Sequence, residues 1–121
     1  MMQKVLCFGG RDYNSFPEVA RALDTLFDAL GKEPFAIIHG GARGADSQSA
    51  TWGKLKGFPV IQVDANWDFY QKAAGGIRNG WMLDVCCPTY AVAFPGGVGT
   101  RDMARRLKAA DISVWFPYGT T

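Results

Sequence analysis

Residues 95–102 read Pro95-Gly96-Gly97-Val98-Gly99-Thr100-Arg101-Asp102, the stretch with the clearest capacity for chemistry. An apolar run of β-branched and aromatic residues, 90–94, precedes it, and an amphipathic run begins at Thr100. The expected order is a buried strand, a loop without side-chain bulk and a helix start. Glycines at 96, 97 and 99 are free to take positive φ. They also let backbone N–H groups approach a ligand that any Cβ would hold off. The first N–H groups of a helix lack intrahelical partners, and the helix dipole adds positive potential there. A phosphate suits such a place.

Two further glycine-bearing stretches close apolar runs in the same way: Gly9-Gly10-Arg11, and Gly40-Gly41-Ala42-Arg43-Gly44-Ala45-Asp46. Arg11 and Arg43 each follow a glycine pair and are placed either to close over the same anion or to stand solvated. Asp46 has three readings: acceptor for a ribose hydroxyl, acceptor for the backbone of its own loop, or helix cap. Arg78 is expected in the first turn of a helix starting near Ile77, beside Gly75 and Gly76. A guanidinium at that positive helix end calls for an anion or a salt bridge. Asn79 next to it is a donor for phosphate or ribose. Trp67 and Tyr13 offer stacking surfaces for a base, whereas Trp52, Trp81 and Trp115 are read as core or subunit interface. His39 ends a strand and is read as a hydrogen-bonded structural residue. Cys86 and Cys87 are expected to be buried, with no basic neighbour to activate either thiol.

The elements that must hold these groups follow from the pattern of apolar residues. Strands are expected at 4–8, 35–39, 59–63, 90–94 and 112–115. Ser15 and Glu18 have the spacing of a capping box, with Pro17 in the first turn, and open a helix that Gly31 stops. A second helix is expected over 45–56, closed by Gly57, and a short one within 64–70, interrupted by Gly75 and Gly76. Strands alternating with helices predict a doubly wound α/β fold with five parallel strands in the order 3-2-1-4-5 and helices on both faces. In such sheets the ligand sits beyond the strand C-termini, where the winding reverses, which is where the loops at Gly9 and Pro95 would meet.

With 121 residues the chain is sized for one domain, expected to span 1–121. Its 48% hydrophobic and 20% charged residues are those of a globular protein. A net charge of +2 speaks against wholesale nucleic-acid binding. No apolar run reaches the length of a membrane span, so a cytoplasmic protein is expected, without a membrane partner. Three cysteines without a C-x-x-C pair, and a single histidine, argue against a zinc site. No metal and no cofactor are expected.

Taken together, the motifs resemble the SLOG superfamily of Rossmann-like nucleotide-binding domains, most closely its YspA-like branch. The likeness runs through residues 9–13, 39–46, 65–67, 74–79 with Met82, and 94–103. More distantly the chain resembles the cytokinin-activating phosphoribohydrolases (the LOG, or lysine-decarboxylase-like, family) at Arg78 and at residues 95–100. That resemblance implies a catalytic glutamate three residues after the threonine, but here the position is Met103, preceded by Asp102. A thioether neither takes a proton nor stabilises an oxocarbenium ion. The resemblance therefore implies binding of a nucleotide or nucleotide-derived molecule, such as an NAD-derived or cyclic signalling nucleotide, by a sensor or sequestering protein. The implied ligand-binding set is Gly9, Gly10, Arg11, Gly40, Gly41, Arg43, Asp46, Trp67, Arg78, Asn79, Pro95, Gly96, Gly97, Val98, Gly99 and Thr100. The alternative is hydrolysis of nucleoside monophosphates, with Arg78 and Asp102 as catalytic residues. A DNA-processing accessory role is the weaker third reading. Homodimer or higher assembly is expected, from the apolar residues around Trp81, Met82 and Leu83 and from dimeric relatives.

Overall fold

The computed structural model describes residues 2–120. Five strands, β1 (Gln3–Phe8), β2 (Phe35–His39), β3 (Val60–Gln62), β4 (Tyr90–Ala93) and β5 (Val114–Trp115), form one sheet in the order β3-β2-β1-β4-β5. Every pairing is parallel, with Val5 opposite both Ile37 and Tyr90. The expected α/β architecture and strand order are therefore present, with β3 two residues shorter than the sequence pattern suggested.

The two faces of the sheet bury different side chains because successive strand residues point to opposite sides. Val5, Cys7, Phe35 and Ile37 face α1 (Phe16–Ala29) and α2 (Ala45–Lys56), where Val19, Leu23, Leu26 and Trp52 complete the packing. Leu6, Phe8, Ile38, Ala91 and Ala93 face α4 (Ala74–Asp84) and α5 (Val98–Ala109), through Met82, Met103 and Leu107. A four-residue helix, α3 (Trp67–Tyr70), and a single 3-10 turn (Gln71–Ala73) lead into α4.

Several local expectations fail for identifiable reasons. Ser15 makes no side-chain cap bond, and Glu18, the other half of the expected box, accepts from the Tyr13 hydroxyl. Helix α4 runs straight through Gly75 and Gly76, so Arg78 lies in its second turn and not in its first. Helix α5 begins at Val98, two residues before Thr100, with Gly97 as N-cap at φ −107°. Neither Gly96, Gly97 nor Gly99 takes positive φ, which occurs instead at Gly41 and Gly44 in the loop after β2. Cys87 is exposed and Cys86 half-buried, whereas both were expected inside.

Candidate functional site

The ends of β1, β2 and β4 converge as anticipated. Gly10 N–H donates to Pro95 O at 2.9 Å, and Ala45 N–H donates to Gly10 O at 3.2 Å. These contacts tie the three glycine loops together through their backbones. A Cβ on Gly9 would lie 2.8 Å from Cβ of both Ala45 and Phe94, and one on Gly10 would lie 2.8 Å from Pro95 O. Glycine is thus needed at Gly9 and Gly10 by close packing. The same holds at Gly96, where a Cβ would meet the Thr100 hydroxyl and Gly10 N.

Beyond this junction a cleft of about 560 Å³ opens between the sheet edge and helices α4 and α5. Gly9 and Arg11 line it from β1, and Ala42 and Asp46 from the loop and helix after β2. Trp67 and Lys72 form one rim, Gly75, Gly76, Arg78, Asn79 and Met82 one wall, and Val98, Gly99, Thr100, Asp102 and Met103 another. Of the residues assigned to the site from sequence, Gly9, Arg11, Asp46, Trp67, Arg78, Asn79, Val98, Gly99, Thr100 and Asp102 meet here. Gly10, Pro95 and Gly96 lie beneath, in the packed junction, and Gly97 stands at the head of α5 with open space around it. Gly40 and Gly41 are not part of the lining: Gly40 packs against the Arg78 guanidinium, and Gly41 is exposed beside Gln62 and Asp64. Arg43 is turned outward to Asp12 at 3.3 Å, an exposed ion pair of little energetic weight. Tyr13 stacks on Phe94, with centroids 5.5 Å apart, and belongs to the core instead of offering a face to a base.

The polar groups of the cleft form a connected set. Arg78 lies flat against the loop after β2, donating Nη1–H to Gly40 O at 2.5 Å and Nε–H to Asn79 Oδ1 at 3.2 Å. A Cβ on Gly40 would collide with that guanidinium, so glycine there makes room for Arg78. Asn79 Nδ2 in turn donates to Asp102 Oδ2 at 3.0 Å. Arg105 and Arg106 clamp the same carboxylate at 2.6 and 2.9 Å. Burial alone would raise the Asp102 pKa, but the bonds from Asn79, Arg106 and Arg105 outweigh it and hold it below its ordinary value.

Asp46 is the opposite case. It is buried in the first turn of α2 and accepts from Gly40 N at 2.9 Å and Ala42 N at 3.4 Å, the own-loop role among its three readings. Burial raises its pKa to about 6, against the lowering pull of those amides and of Arg78 and Arg11. His39 accepts from Gly41 N at 3.0 Å through Nδ1, and its buried Nε2 has no partner. Burial, followed by the field of Lys54, lowers its pKa and keeps the ring neutral. Burial also lowers the pKa of Arg78. The Arg11 guanidinium sits 5.4 Å above the Trp67 ring and covers the face offered to a base.

Sequence reasoning missed Lys72, whose only signal was a cation next to the glycine pair at the start of α4. It also read Gly75 and Gly76 as an interruption, not as a wall. A Cβ at Gly75 would lie 3.5 Å from the Trp67 ring and one at Gly76 3.4 Å from Arg106, ordinary contacts, so close packing does not demand glycine at either position. Among the described residues no three of His, Cys, Asp and Glu converge as metal ligands. Among the described residues no helix is long and apolar enough to cross a membrane.

This arrangement agrees with what the chain is similar to. The sequence model of the YspA, cpYpsA-related SLOG family (YAcAr) matches residues 3–70, from β1 to the end of α3. The chain belongs to this family. Gene 61 protein of Mycobacterium phage D29 is 36% identical over 126 residues, an alignment covering 93% of this chain and 94% of the phage protein. The X-ray structure of TM1055 superposes on 99% of this chain and 76% of that one, with a TM-score of 0.73 at 17% identity. That likeness is one of fold. Membership of a SLOG family supports a nucleotide-related role, in binding or in processing.

Proposed function

We propose that the cleft binds a nucleotide or nucleotide-derived molecule by its phosphate and holds it without cleaving it, as a sensor or sequestering protein would. One observation carries this reading. Three cations, Arg11, Lys72 and Arg78, line a cleft whose α5 side begins with the open amides of residues 97–99. Among the described residues none of the three has a carboxylate within ion-pair distance. Cβ atoms placed on Gly97 or Gly99 would meet nothing within 4 Å, so the approach to those amides is free. Cations without an ion-pair partner, beside a helix N-terminus, favour a bound phosphate.

Turnover is disfavoured by the neighbouring side chains. Met103 lines the cleft where the resemblance to phosphoribohydrolases would require glutamate. Asp102 also lines it, which is the observation in favour of hydrolysis, yet both its oxygens already accept bonds from Asn79, Arg105 and Arg106. A carboxylate so engaged is a poor proton carrier. Calorimetric titration with nucleoside monophosphates, NAD derivatives and cyclic nucleotides, paired with an assay for released base, tests both readings. Binding without base release supports the proposal, and release at an ordinary enzymatic rate, stopped by Asp102→Asn, overturns it.

Self-association belongs to the same proposal. Phe69, Tyr70 and Trp81 form a continuous edge-to-face row, with Phe69 75% and Trp81 40% exposed. Met82, by contrast, is buried and takes no part. Light scattering should give at least a dimer mass at micromolar concentration, and a monomer mass excludes it.

A further inference from the structure

Asp46 presents a chemical problem for an anion-binding cleft. A buried carboxylate facing the ligand repels a phosphate unless the ligand brings a hydrogen-bond donor to it. Its two oxygens are not equivalent. Oδ2 accepts both loop amides, Gly40 N and Ala42 N. Oδ1 has no hydrogen-bond partner among the described residues, yet it is not among the polar side-chain atoms sealed without one, which are His39 Nε2 and Gln48 Oε1. Since Asp46 is 95% buried and lines the cleft, the open side of Oδ1 is the cleft itself. The arginines nearby leave it free. Arg78 spends its donors on Gly40 O and Asn79, Arg11 lies over Trp67, and neither forms an ion pair with Asp46.

We propose that Asp46 Oδ1 accepts a hydrogen bond from one hydroxyl of the ligand's pentose and so makes the cleft selective for ribose over a deoxypentose. This rests on the reading of the cleft as a phosphate site, and it narrows the ligand to a ribose phosphate or its derivatives. The loop amides fix the carboxylate through Oδ2, leaving one oxygen for one hydroxyl. Loss of that hydroxyl leaves a carboxylate oxygen unpaired inside the complex, the situation in which polar sites discriminate most strongly.

The probes carry no base, so the identity of the base does not enter. Inorganic phosphate, ribose 5-phosphate, 2-deoxyribose 5-phosphate and 3-deoxyribose 5-phosphate are titrated against the wild-type chain and Asp46→Asn. In the wild type, ribose 5-phosphate is expected to bind tighter than inorganic phosphate. One of the two deoxy sugars is expected to bind about ten- to a hundredfold weaker than ribose 5-phosphate, the range for a hydrogen bond to a charged group. In Asp46→Asn that difference shrinks to that of a neutral hydrogen bond, about two- to tenfold, since the amide Nδ2–H can still donate to the hydroxyl oxygen, while inorganic phosphate binds as well as before or better. Equal affinity of all three sugars in the wild type overturns the inference without help from any variant. Discrimination undiminished in folded Asp46→Asn overturns it as well, as does ribose 5-phosphate binding no tighter than inorganic phosphate. If inorganic phosphate and all the sugar phosphates fail to bind, the phosphate site itself is wrong and the inference falls with it.

Discussion

The two walls of the cleft carry similar parts in opposite states. Each has a glycine-rich loop entering a helix and an aspartate in the early part of that helix. On the α2 wall the loop is closed: Gly44 has φ 80°, and a Cβ there would run into the carbonyls of Gly10 and Arg11. On the α5 wall Gly97 and Gly99 do not take positive φ and have empty space before them. Asp46 has amides and no ion pair, whereas Asp102 has two arginines and an amide side chain. Glycine on the α2 side therefore serves the packing of the protein against itself, and glycine on the α5 side leaves room for something else. The carboxylates divide in the same way, one without an ion pair and one neutralised by two.

The largest effect should come from breaking the closed wall. Gly44→Ala adds backbone strain at positive φ to a collision with two carbonyls, together about 3–5 kcal/mol. That is a large share of the total stability of a domain, commonly about 5–15 kcal/mol. Urea unfolding should register it as a marked fall in midpoint. Gly97→Val is the matched test on the open wall. Its stability should fall by only about 1 kcal/mol, the cost of a poor N-cap residue, while phosphate binding disappears because the side chain fills the approach to the amides. Equal destabilisation by the two substitutions would erase the distinction between the walls.

The next effect separates the carboxylates by pH. Asp46 has a folded pKa of about 6, above its ordinary 3.8. The folded state therefore binds the extra proton as pH falls, and folding gains stability between pH 7 and pH 4. Relative to Asp46→Asn, the wild type should gain about 2–3 kcal/mol over that window. Asp102, whose folded pKa is lowered, has the opposite sign. Its contribution is present above the ordinary carboxylate value and is lost as pH falls through the folded one. Denaturant titrations at stepped pH on wild type and both Asp→Asn variants measure the two slopes, and slopes of the same sign would refute the contrast.

Arg78 spans the two walls, and its removal is expected to cost affinity for inorganic phosphate or AMP of about 1.5–3 kcal/mol. Calorimetry reads this as a ten- to hundredfold rise in Kd. Unchanged affinity would place the ligand away from α4.

How much of this was legible in the sequence depends on whether one element or several decide the outcome. Residues 5–8 and 35–38 are apolar throughout, so their burial on both faces and the parallel sheet followed directly. The meeting of the loops at Gly9 and Pro95 followed from strand order. What escaped depends on contacts between distant segments. Gly75 and Gly76 looked like helix breakers by propensity, yet α4 runs through both, with Trp67 and Arg106 at ordinary contact distance from where their side chains would start. Tyr13 looked free to stack on a ligand until Phe94 and Glu18 claimed its ring and hydroxyl. Arg43 and Arg11 have the same local sequence setting after a glycine pair. Only the position of Asp12 beside the first, and of Trp67 beneath the second, sends one outward and leaves the other in the cleft.

The smallest expected effect is that of Asp102→Asn, and its smallness is what gives it value. The side chain is 24% exposed, and its ion pairs with Arg105 and Arg106 are within one helix. Pairs of this kind are worth about 0–1 kcal/mol, so the variant should stay folded. Asparagine keeps the shape and one acceptor oxygen, and Arg78 still has Gly40 O to hold it in place. Nucleotide affinity is therefore expected to change less than about threefold, well under the effect of losing a hydrogen bond to a charged group. The base-release assay should be flat in both proteins. If Asp102 were instead a proton carrier or a stabiliser of positive charge on the ribose, its loss would cost about two to four orders of magnitude in turnover with binding intact. A measurable wild-type rate that falls by that factor in Asp102→Asn would make the α5 wall catalytic and the clamp around Asp102 a device for holding the carboxylate ionised.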